Sequence, residues 1–551
     1  MNYSNPCFVD AQQTRLEKNY EVFQNLVAKS SAYLSRGQYQ PAAVFAELAA
    51  YHATWKHNGL FASYELEEIL RSLGKQAVQS ETSSSVRNGT ELSRVLHVTS
   101  MVSGLAGLQH LLQRWIANDG SRCHSVAVSQ PSSSSVPEKL KSVVTASGGT
   151  IELVGDARQG ILARAQRIRR LATESDLIVL HLQTEDAAPI IGLSQKTGLP
   201  PVALVNHADH AFWIGASIVD LIVNLRNSGL VLCRGRRGID PGRLVLLPTP
   251  LCPVVRTHSR EDAKSRLGLP IDSVVLLSVA RAPKYTPKDE VNFPLTHMPV
   301  LQKYQKCFLL VVGPEHSDDW ERANQKTGGR IKAFGARDDV VLFFQAADIY
   351  VDAFPMVSVT SLLEAGSFGL PLVSRCPYGT RSVIWCADAP GLDQHLIRCR
   401  NIEDYREKLC RLVEDAEFRI ELGRNTQEEI TRIHVGKNWS ESLEALYARV
   451  KMTSNKPAVC FPRSQRNASE PDLLIPELLS HGEELVEVLY RYREVLPIDW
   501  PMIRFLLPRP TVLARILLAL LITRLPFKRR IKQIVLRFSE YFSAGSSHKV
   551  L

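Results

Sequence analysis

The chain has 551 residues and a formal net charge of +10, with 45% hydrophobic and 22% charged residues. One hydrophobic core seldom organises a chain of this length, and the ordinary apolar content excludes a mainly disordered protein. Residues 500–538 contain nine Arg and Lys and no Asp or Glu, so the rest of the chain is nearly neutral and its charge does not indicate a nucleic-acid-binding protein.

The amino terminus and the cysteines favour a cytoplasmic protein. The first 17 residues are polar, so no secretory signal is predicted, and no uncharged apolar run approaches the length of a membrane span. The ten cysteines include no C-x-x-C pair and share no ligand spacing with His. We therefore expect neither a zinc site nor a disulfide framework.

Residues 1–90 are predicted to form a helical region. Apolar residues recur at helical spacing over 20–73, and Gly37, Tyr39 and Ala42 are typical of the junction in helical-hairpin repeats. A structural cap is favoured over a partner-binding repeat array. The Ser-rich stretch 79–90 has the composition of a linker.

Two α/β domains are predicted after this region, each a Rossmann-like domain with a parallel sheet. The first covers 91–254 and the second 255–452, with the junction near 248–253. Buried strands are expected in the first domain at 95–98, 124–128, 177–180, 201–205 and 221–224. In the second they are expected at 274–279, 308–312, 331–334, 349–352 and 372–374. A linker at 453–472 and a basic amphipathic helical tail at 473–551 complete the chain.

The most informative segment is ADIYVDAFPMVSVTSLLEAGSFGLPLVS at 347–374, where a strand is followed by a helix. Free backbone N–H groups at the helix start, with the hydroxyls of Ser358, Thr360 and Ser361, suit a diphosphate. Glu364 lies one turn further on and can accept hydrogen bonds from the hydroxyls of a ribose. The alternative is an ordinary capped helix with an exposed Glu.

Two loops that follow buried strands carry further candidate residues. SVARAPK at 278–284 places Arg281 and Lys284 where α/β proteins bind ligands, although a basic loop is often only solvated. VNHADHAFWIG at 205–215 in the first domain supplies His207, Asp209 and His210, which suit the binding and deprotonation of a sugar hydroxyl. The same spacing also fits a metal site, but no further ligand cluster is evident, so no metal is expected.

These motifs resemble those of GT-B glycosyltransferases, in particular family 4 (group 1). The segment at 347–374 looks like their donor-site signature, SVARAPK like their phosphate-binding loop, and NHADHAFW like their acceptor-side loop. VLHVTSMVSGLAGLQHLLQRWI at 95–116 resembles their first strand, glycine-rich loop and helix. The resemblance covers roughly residues 95–450.

The resemblance implies a hexosyltransferase that moves a sugar from a nucleotide-sugar such as a UDP- or GDP-sugar to a glycan, lipid or protein acceptor without metal. It implies the following donor-binding residues: Arg281, Lys284, Phe334, Gly335, Ser358, Thr360, Ser361 and Glu364. Within this set Glu364 holds the ribose and Phe334 and Gly335 lie near the nucleobase. On the other side His207 and Asp209 face the transferred sugar, with His210 beside them.

The chain departs from the family pattern at two places. Met356 stands where many family members have a Glu, and the loop SGLAGLQH at 103–110 lacks their adjacent Gly-Gly pair, although Gly104 and Gly107 are present. Stereochemistry therefore stays open. A non-hydrolysing nucleotide-sugar epimerase and a catalytically inactive GT-B scaffold are the alternatives.

The basic tail predicts where the protein lies in the cell. Cations and aliphatic runs alternate over 500–538, which suits a segment lying on an anionic membrane surface. Such an enzyme would be peripheral on the inner face of the membrane, where lipid-linked glycans for polysaccharide biosynthesis would be at hand. A C-terminal helix packed on the catalytic domains is the alternative.

Overall fold

The computed structural model describes residues 6–79, 92–102, 107–130, 135–155, 160–288, 291–315, 317–453, 466–479, 482–492 and 495–496. The predicted tail at 500–538, most of the linker at 79–90 and Gly104 lie outside the described residues. None of the described helices is long and apolar enough to cross a membrane.

Three helices form the amino-terminal region: α1 (Pro6–Ser35), α2 (Tyr39–Trp55) and α3 (Tyr64–Ala77). Gly37 lies at φ +70° in the turn between the first two, a conformation that glycine adopts without strain. Helix α2 is buried over almost its whole length because α1 covers one side and the first α/β domain the other. The Ser63 hydroxyl starts α3 by accepting a hydrogen bond from the Leu66 amide.

The first α/β domain contains a seven-stranded sheet in the order β3-β2-β1-β4-β5-β6-β7, and each pair of neighbouring strands is parallel. Its strands are β1 (Arg94–Thr99), β2 (Cys123–Val128), β3 (Ile151–Leu153), β4 (Leu177–His181), β5 (Val202–Asn206), β6 (Leu221–Asn224) and β7 (Leu244–Leu246). Its helices are α4 (Gly107–Asn118), α5 (Glu138–Ala146), α6 (Gly160–Ala172), α7 (Ala187–Gly192) and α8 (Asn227–Arg236). Apolar runs such as LIVL at 177–180 form strands buried on both faces.

The second domain repeats this topology with a six-stranded parallel sheet in the order β10-β9-β8-β11-β12-β13. Its strands are β8 (Val274–Val279), β9 (Cys307–Val312), β10 (Ile331–Ala333), β11 (Ile349–Val351), β12 (Leu372–Arg375) and β13 (Leu396–Cys399). Its helices are α9 (Arg260–Arg266), α10 (Phe293–Lys303), α11 (Asp318–Lys326), α12 (Val340–Ala346), α13 (Val359–Ser367), α14 (Ile402–Glu414) and α15 (Ala416–His434). The prediction of two tandem Rossmann-like domains is confirmed.

The chain crosses between the domains twice. After α15 it returns as α16 (Gly436–Thr453), whose Trp439 and Tyr447 are buried against the first sheet. The Trp115 indole of α4 donates to the Tyr447 hydroxyl at 3.0 Å, and that hydroxyl donates to Asp119 at 2.7 Å. Most of α16 therefore packs on the first domain, although the sequence analysis assigned 255–452 to the second.

A row of three buried histidines lies on the same face of the first sheet. His97 Nδ1 is 3.0 Å from His181 Nε2, and His97 Nε2 is 2.9 Å from His124 Nδ1. His124 Nε2 in turn lies 3.3 Å from Asp119. Burial lowers the pKa of His97 well below its usual value and that of His181 to about 3, so both rings are neutral and share hydrogen bonds rather than charge.

The chain after the second domain folds back onto the helical region. Helix α17 (Glu470–Leu478) begins inside the predicted linker 453–472, and α18 (Leu485–Tyr490) packs on α2. Asp472 is fully buried, 3.0 Å from His57 and 2.7 Å from Arg236. Burial alone would raise the pKa of Asp472, but the hydrogen bonds from His57 and Arg236 lower it to about 2.

The expectation of no disulfide is wrong at one pair. Cys376 and Cys386 are bonded, with Cα atoms 5.3 Å apart. Their ten-residue separation resembles no common disulfide or metal motif, and only the loop after β12 brings them together. The bond closes the segment 376–386, which faces the first domain through Trp385 and Cys386.

Replacement of Asp472 by Ala should destabilise the protein by about 3 kcal/mol, because it leaves the Arg236 guanidinium without its buried carboxylate. Glu477→Ala on the same helix is the matched control, since its ion pair with Arg15 is partly exposed and contributes less than about 1 kcal/mol. Thermal unfolding of the two variants measures the difference. Equal melting temperatures would contradict the buried ion pair as an anchor of α17.

Candidate functional site

The donor-binding residues predicted in the second domain lie together at the carboxyl edge of its sheet. Lys284 lies in the turn Ala282–Tyr285 after β8, and its Nζ donates to the Val357 carbonyl at 2.7 Å, one residue before the helix cap. The two sequence motifs that contain Lys284 and Ser358 are thus adjacent in space. Arg281 lies at the start of the same turn and is exposed.

The start of α13 is held by a buried carboxylate that the sequence analysis did not assign. Asp352 follows β11 directly and accepts the Ser358 amide at 2.9 Å and the Ser374 hydroxyl at 2.7 Å. The Ser358 and Ser361 hydroxyls are 3.1 Å apart, and Thr360 is half-buried between them. Asp352 therefore fixes the turn in which the first amides of the helix have no intrahelical partner.

Lys284 and Asp352 perturb each other's titration. Burial lowers the pKa of Lys284 to about 8; Asp352 opposes that shift, whereas the nearby Arg281 and Arg226 add to it. Burial raises the pKa of Asp352 to about 6, against the hydrogen bonds from Ser358 and Ser374 and the charge of Lys284. An anion beside Lys284 would relieve the repulsion among the three cations.

Phe334 and Gly335 lie at the same edge, directly after β10. Gly335 has φ +65° and its amide donates to the Pro314 carbonyl at 2.9 Å. The Gly313 amide donates to the Gly335 carbonyl at 2.7 Å, and a Cβ on Gly313 would lie 1.7 Å from the Ala280 oxygen. The loops after β8, β9 and β10 are consequently in close backbone contact.

The loop predicted to lie on the acceptor side follows β5 in the first domain and contacts the second domain. His207 Nε2 lies 2.8 Å from the Leu182 carbonyl oxygen, and burial lowers the pKa of His207. His210 is partly exposed; its ring packs on Trp385 with centroids 5.3 Å apart, and its Nδ1 lies 3.3 Å from Asp209 Oδ1. His210 is therefore the member of this loop that lies against the opposite domain.

Asp209 is buried in an ion pair that the sequence analysis missed. Arg226, two residues after β6, donates from Nε at 2.8 Å and from Nη2 at 2.5 Å to the two Asp209 oxygens. Burial alone would raise the pKa of Asp209, but Arg226 and His210 lower it well below its usual range. Asp209 thus pairs with Arg226 and His210 and has little exposed surface of its own.

Arg226 also joins the two domains. Its Nη1 donates to the Ile384 and Cys386 carbonyls at 3.2 and 3.1 Å and lies 3.3 Å from Asp388. Asp388 accepts the Ser228 amide at 2.7 Å. The position of Arg226 after a buried strand is the sequence signal that could have revealed it.

Glu364, one turn into α13, is paired across the domain boundary with Arg114 of α4. The ion pair joins the carboxyl-terminal half of α4 in the first domain to α13 in the second. Among the residues that the structure describes, no group of three or more His, Cys, Asp or Glu side chains could hold a metal ion.

Two Rossmann-like domains, each with a parallel sheet, face each other through the loops at the carboxyl edges of their sheets. This arrangement defines the GT-B fold. Residues 273–415 match the family model described as glycosyl transferases group 1. The predicted resemblance and the prediction of a glycosyltransferase are thereby confirmed, and the epimerase and the inactive scaffold are not favoured. Comparison with curated proteins gave no match.

Solved structures of similar fold include Anabaena HepE in complex with UDP, at 12% identity and TM-score 0.50, over 64% of this chain and 99% of that one. A glycosyltransferase from Rickettsia africae matches at 11% identity and TM-score 0.49, over 66% of this chain and 100% of that one. An O-GlcNAc transferase from Thermobaculum terrenum matches at 14% identity and TM-score 0.44, over 79% and 84%. The HepE likeness supports the fold.

Replacement of Arg226 by Met should leave Asp209 and Asp388 buried without their cation and destabilise the protein by about 3–5 kcal/mol. We expect the melting temperature to fall by roughly 5 °C or more and the radius of gyration in solution to rise as the domains separate. Arg432→Met, which removes an exposed pair with Glu429, is the control. Unchanged values for both quantities would contradict the bridging role of Arg226.

Proposed function

We propose that the chain transfers a sugar from a nucleoside-diphosphate sugar, with the diphosphate bound between Lys284 and the first turn of α13. The observation that carries the proposal is the 2.7 Å bond from Lys284 Nζ to the Val357 carbonyl, which holds an ammonium at the positive end of a helix. Arg281, Ser358 and Thr360 lie around the same point. Together these groups stabilise the charge on a departing diphosphate without metal.

The remaining donor contacts follow from this placement. Ser361 faces the diphosphate beside Ser358. Glu364, one turn further on, binds the ribose. The nucleobase is bound by Phe334 and Gly335 at the end of β10. UDP is the first nucleotide to test because the structure of HepE contains it. A UDP-sugar and a GDP-sugar are the donors proposed.

For the transferred sugar we propose a site formed by His207, Asp209 and His210. His210 is the proposed general base, because Asp209 lies against its Nδ1 and leaves the other ring nitrogen for a substrate hydroxyl. Asp209 positions that imidazole while it is itself held by Arg226. His207, which is held by a backbone carbonyl, is proposed to bind the sugar.

Binding of UDP should depend on the ionisation of Lys284. Because the pKa of Lys284 is about 8 without ligand, the ammonium is lost as the pH rises through 8 and the affinity for a diphosphate should fall. The phosphate itself loses its second proton near pH 6, so it does not titrate in this range. Calorimetry should therefore show weakening of UDP binding between about pH 7 and 9.5.

In Lys284→Arg the charge persists at every pH in this range, so the affinity should lose its pH dependence. Lys284→Ala should bind UDP about tenfold or more weakly at pH 7. Wild-type affinity that stays constant from about pH 7 to 9.5 would contradict the assignment of Lys284 to the diphosphate.

Replacement of His210 by Gln should lower kcat by about 100-fold while the dissociation constant for UDP stays the same, because a general base acts on the acceptor and not on the nucleotide. Steady-state kinetics and calorimetry on the same preparation measure the two quantities. A collapse of UDP affinity in a folded His210→Gln protein would show that the roles of the domains are reversed.

We further propose that residues 500–538 attach the enzyme to the inner face of an anionic membrane, where it acts on a lipid-linked glycan acceptor. The support is the run of nine cations among aliphatic residues. The full chain should sediment with anionic liposomes at low salt and be released at high salt. A chain ending at residue 496 should stay in the supernatant, and equal sedimentation of both chains would refute the proposal.

A further inference from the structure

Arg114 contacts the proposed ribose site from the opposite domain. It lies on α4, and its Nη2 donates to Oε1 of Glu364 on α13, 250 residues further along the chain. The Arg114 side chain is 15% exposed and that of Glu364 26%. The pair is thus largely shielded from water, where a charge-assisted hydrogen bond is stronger than on an open surface.

The second terminal nitrogen of Arg114 is buried and has no hydrogen-bond partner among the described residues. A guanidinium is always charged and has only donors, and a buried donor that stays unpaired is costly. Buried polar atoms of this kind are usually paired when the site is occupied. We therefore expect Arg114 Nη1 to donate a hydrogen bond to an acceptor atom next to Glu364.

The Glu364 carboxylate can accept further hydrogen bonds. An ionised carboxylate accepts about four hydrogen bonds, and Arg114 uses one of them through Oε1. A hydroxyl group fits both side chains at once, because its hydrogen can be donated to the carboxylate while its oxygen accepts from the guanidinium. Binding of the hydroxyl does not require the ion pair to break.

We propose that Arg114 is a second ribose-binding residue, which the first domain supplies. Its Nη1 donates to the oxygen of the ribose hydroxyl whose hydrogen is bound by Glu364. The proposal rests on the proposed donor site. Both domains then contact the donor at its ribose. The Arg114–Glu364 pair determines the selectivity for ribose over deoxyribose.

The test is a cycle of two changes, one in the protein and one in the ligand. Binding of UDP or GDP, whichever is tighter, and of its 2′-deoxy and 3′-deoxy forms is measured by calorimetry with wild type, Arg114→Ala, Arg114→Lys and Glu364→Gln. Arg114→Ala should weaken binding of the ribonucleotide about tenfold or more. For one of the deoxy forms the same substitution should have almost no effect.

Arg114→Lys keeps the charge but lacks the second nitrogen of the fork, so it should retain little of the selectivity for ribose. Arg167→Ala is the control, because Arg167 forms an ion pair with Glu152 within the first domain, away from the site. Thermal unfolding shows whether each variant folds. If Arg114→Ala does not fold, the comparison of Arg114→Lys with the wild-type protein tests the proposal.

Each outcome has one meaning. Equal weakening of ribose and deoxyribose forms in Arg114→Ala would mean that Arg114 only supports the domain arrangement, and would overturn the proposal. Unchanged or tighter binding would overturn it as well. If Glu364→Gln binds the nucleotide normally, or if the wild-type protein binds neither UDP nor GDP, the proposed donor site itself is wrong.

Discussion

The Arg226 guanidinium is buried between the domains, where it meets carboxylates from both and two backbone carbonyls of the second. A desolvated cation is stable only when its donors are paired, so Asp209, Asp388 and the carbonyls of residues 384 and 386 must stay within reach. That requirement fixes the loop after β5 against the loop closed by the Cys376–Cys386 disulfide. The shape of the cleft near His210 depends on it.

A second balance of charge lies at the start of α13. Asp352 is fully buried and anchors Ser358, but it also offsets part of the repulsion among Lys284, Arg281 and Arg226. Lys284, which carries one of these charges, is bonded to the Val357 carbonyl just before α13. The diphosphate proposed to bind there would place acceptors beside these cations, and the proposed ribose hydroxyl would do the same beside Arg114 Nη1, which has no hydrogen-bond partner among the described residues.

The sequence predicted the two sheets well because their strands are short apolar runs, buried on both faces and separated by helical periodicity. The adjacency of Lys284 and Ser358 was also predictable, since both follow strands whose carboxyl ends share one edge. Arg114 could not be assigned, because its partner Glu364 lies 250 residues away in the other domain. Strands β3 and β7 were not predicted; both are three-residue strands at the edges of the first sheet and are only partly buried, so neither forms a buried apolar run.

The return of the chain after residue 466 was missed for a different reason. Asp472 makes the segment look polar and linker-like, and its burial is understandable only once His57 and Arg236 are seen around it. The assigned roles of His207, Asp209, His210 and the donor residues remain proposals. The loops that carry these residues lie at the carboxyl edges of the two sheets.

The two segments of the chain that connect the domains are hydrogen-bonded to each other. The Leu251 amide donates to the His434 carbonyl at 2.9 Å, His434 Nδ1 lies 2.8 Å from the Thr249 oxygen, and the Trp439 indole donates to the Pro248 oxygen at 2.7 Å. Two linked connections resist sliding of one domain past the other. We therefore expect any relative motion of the domains to be a rotation about this junction, which would widen the cleft most at the points farthest from it.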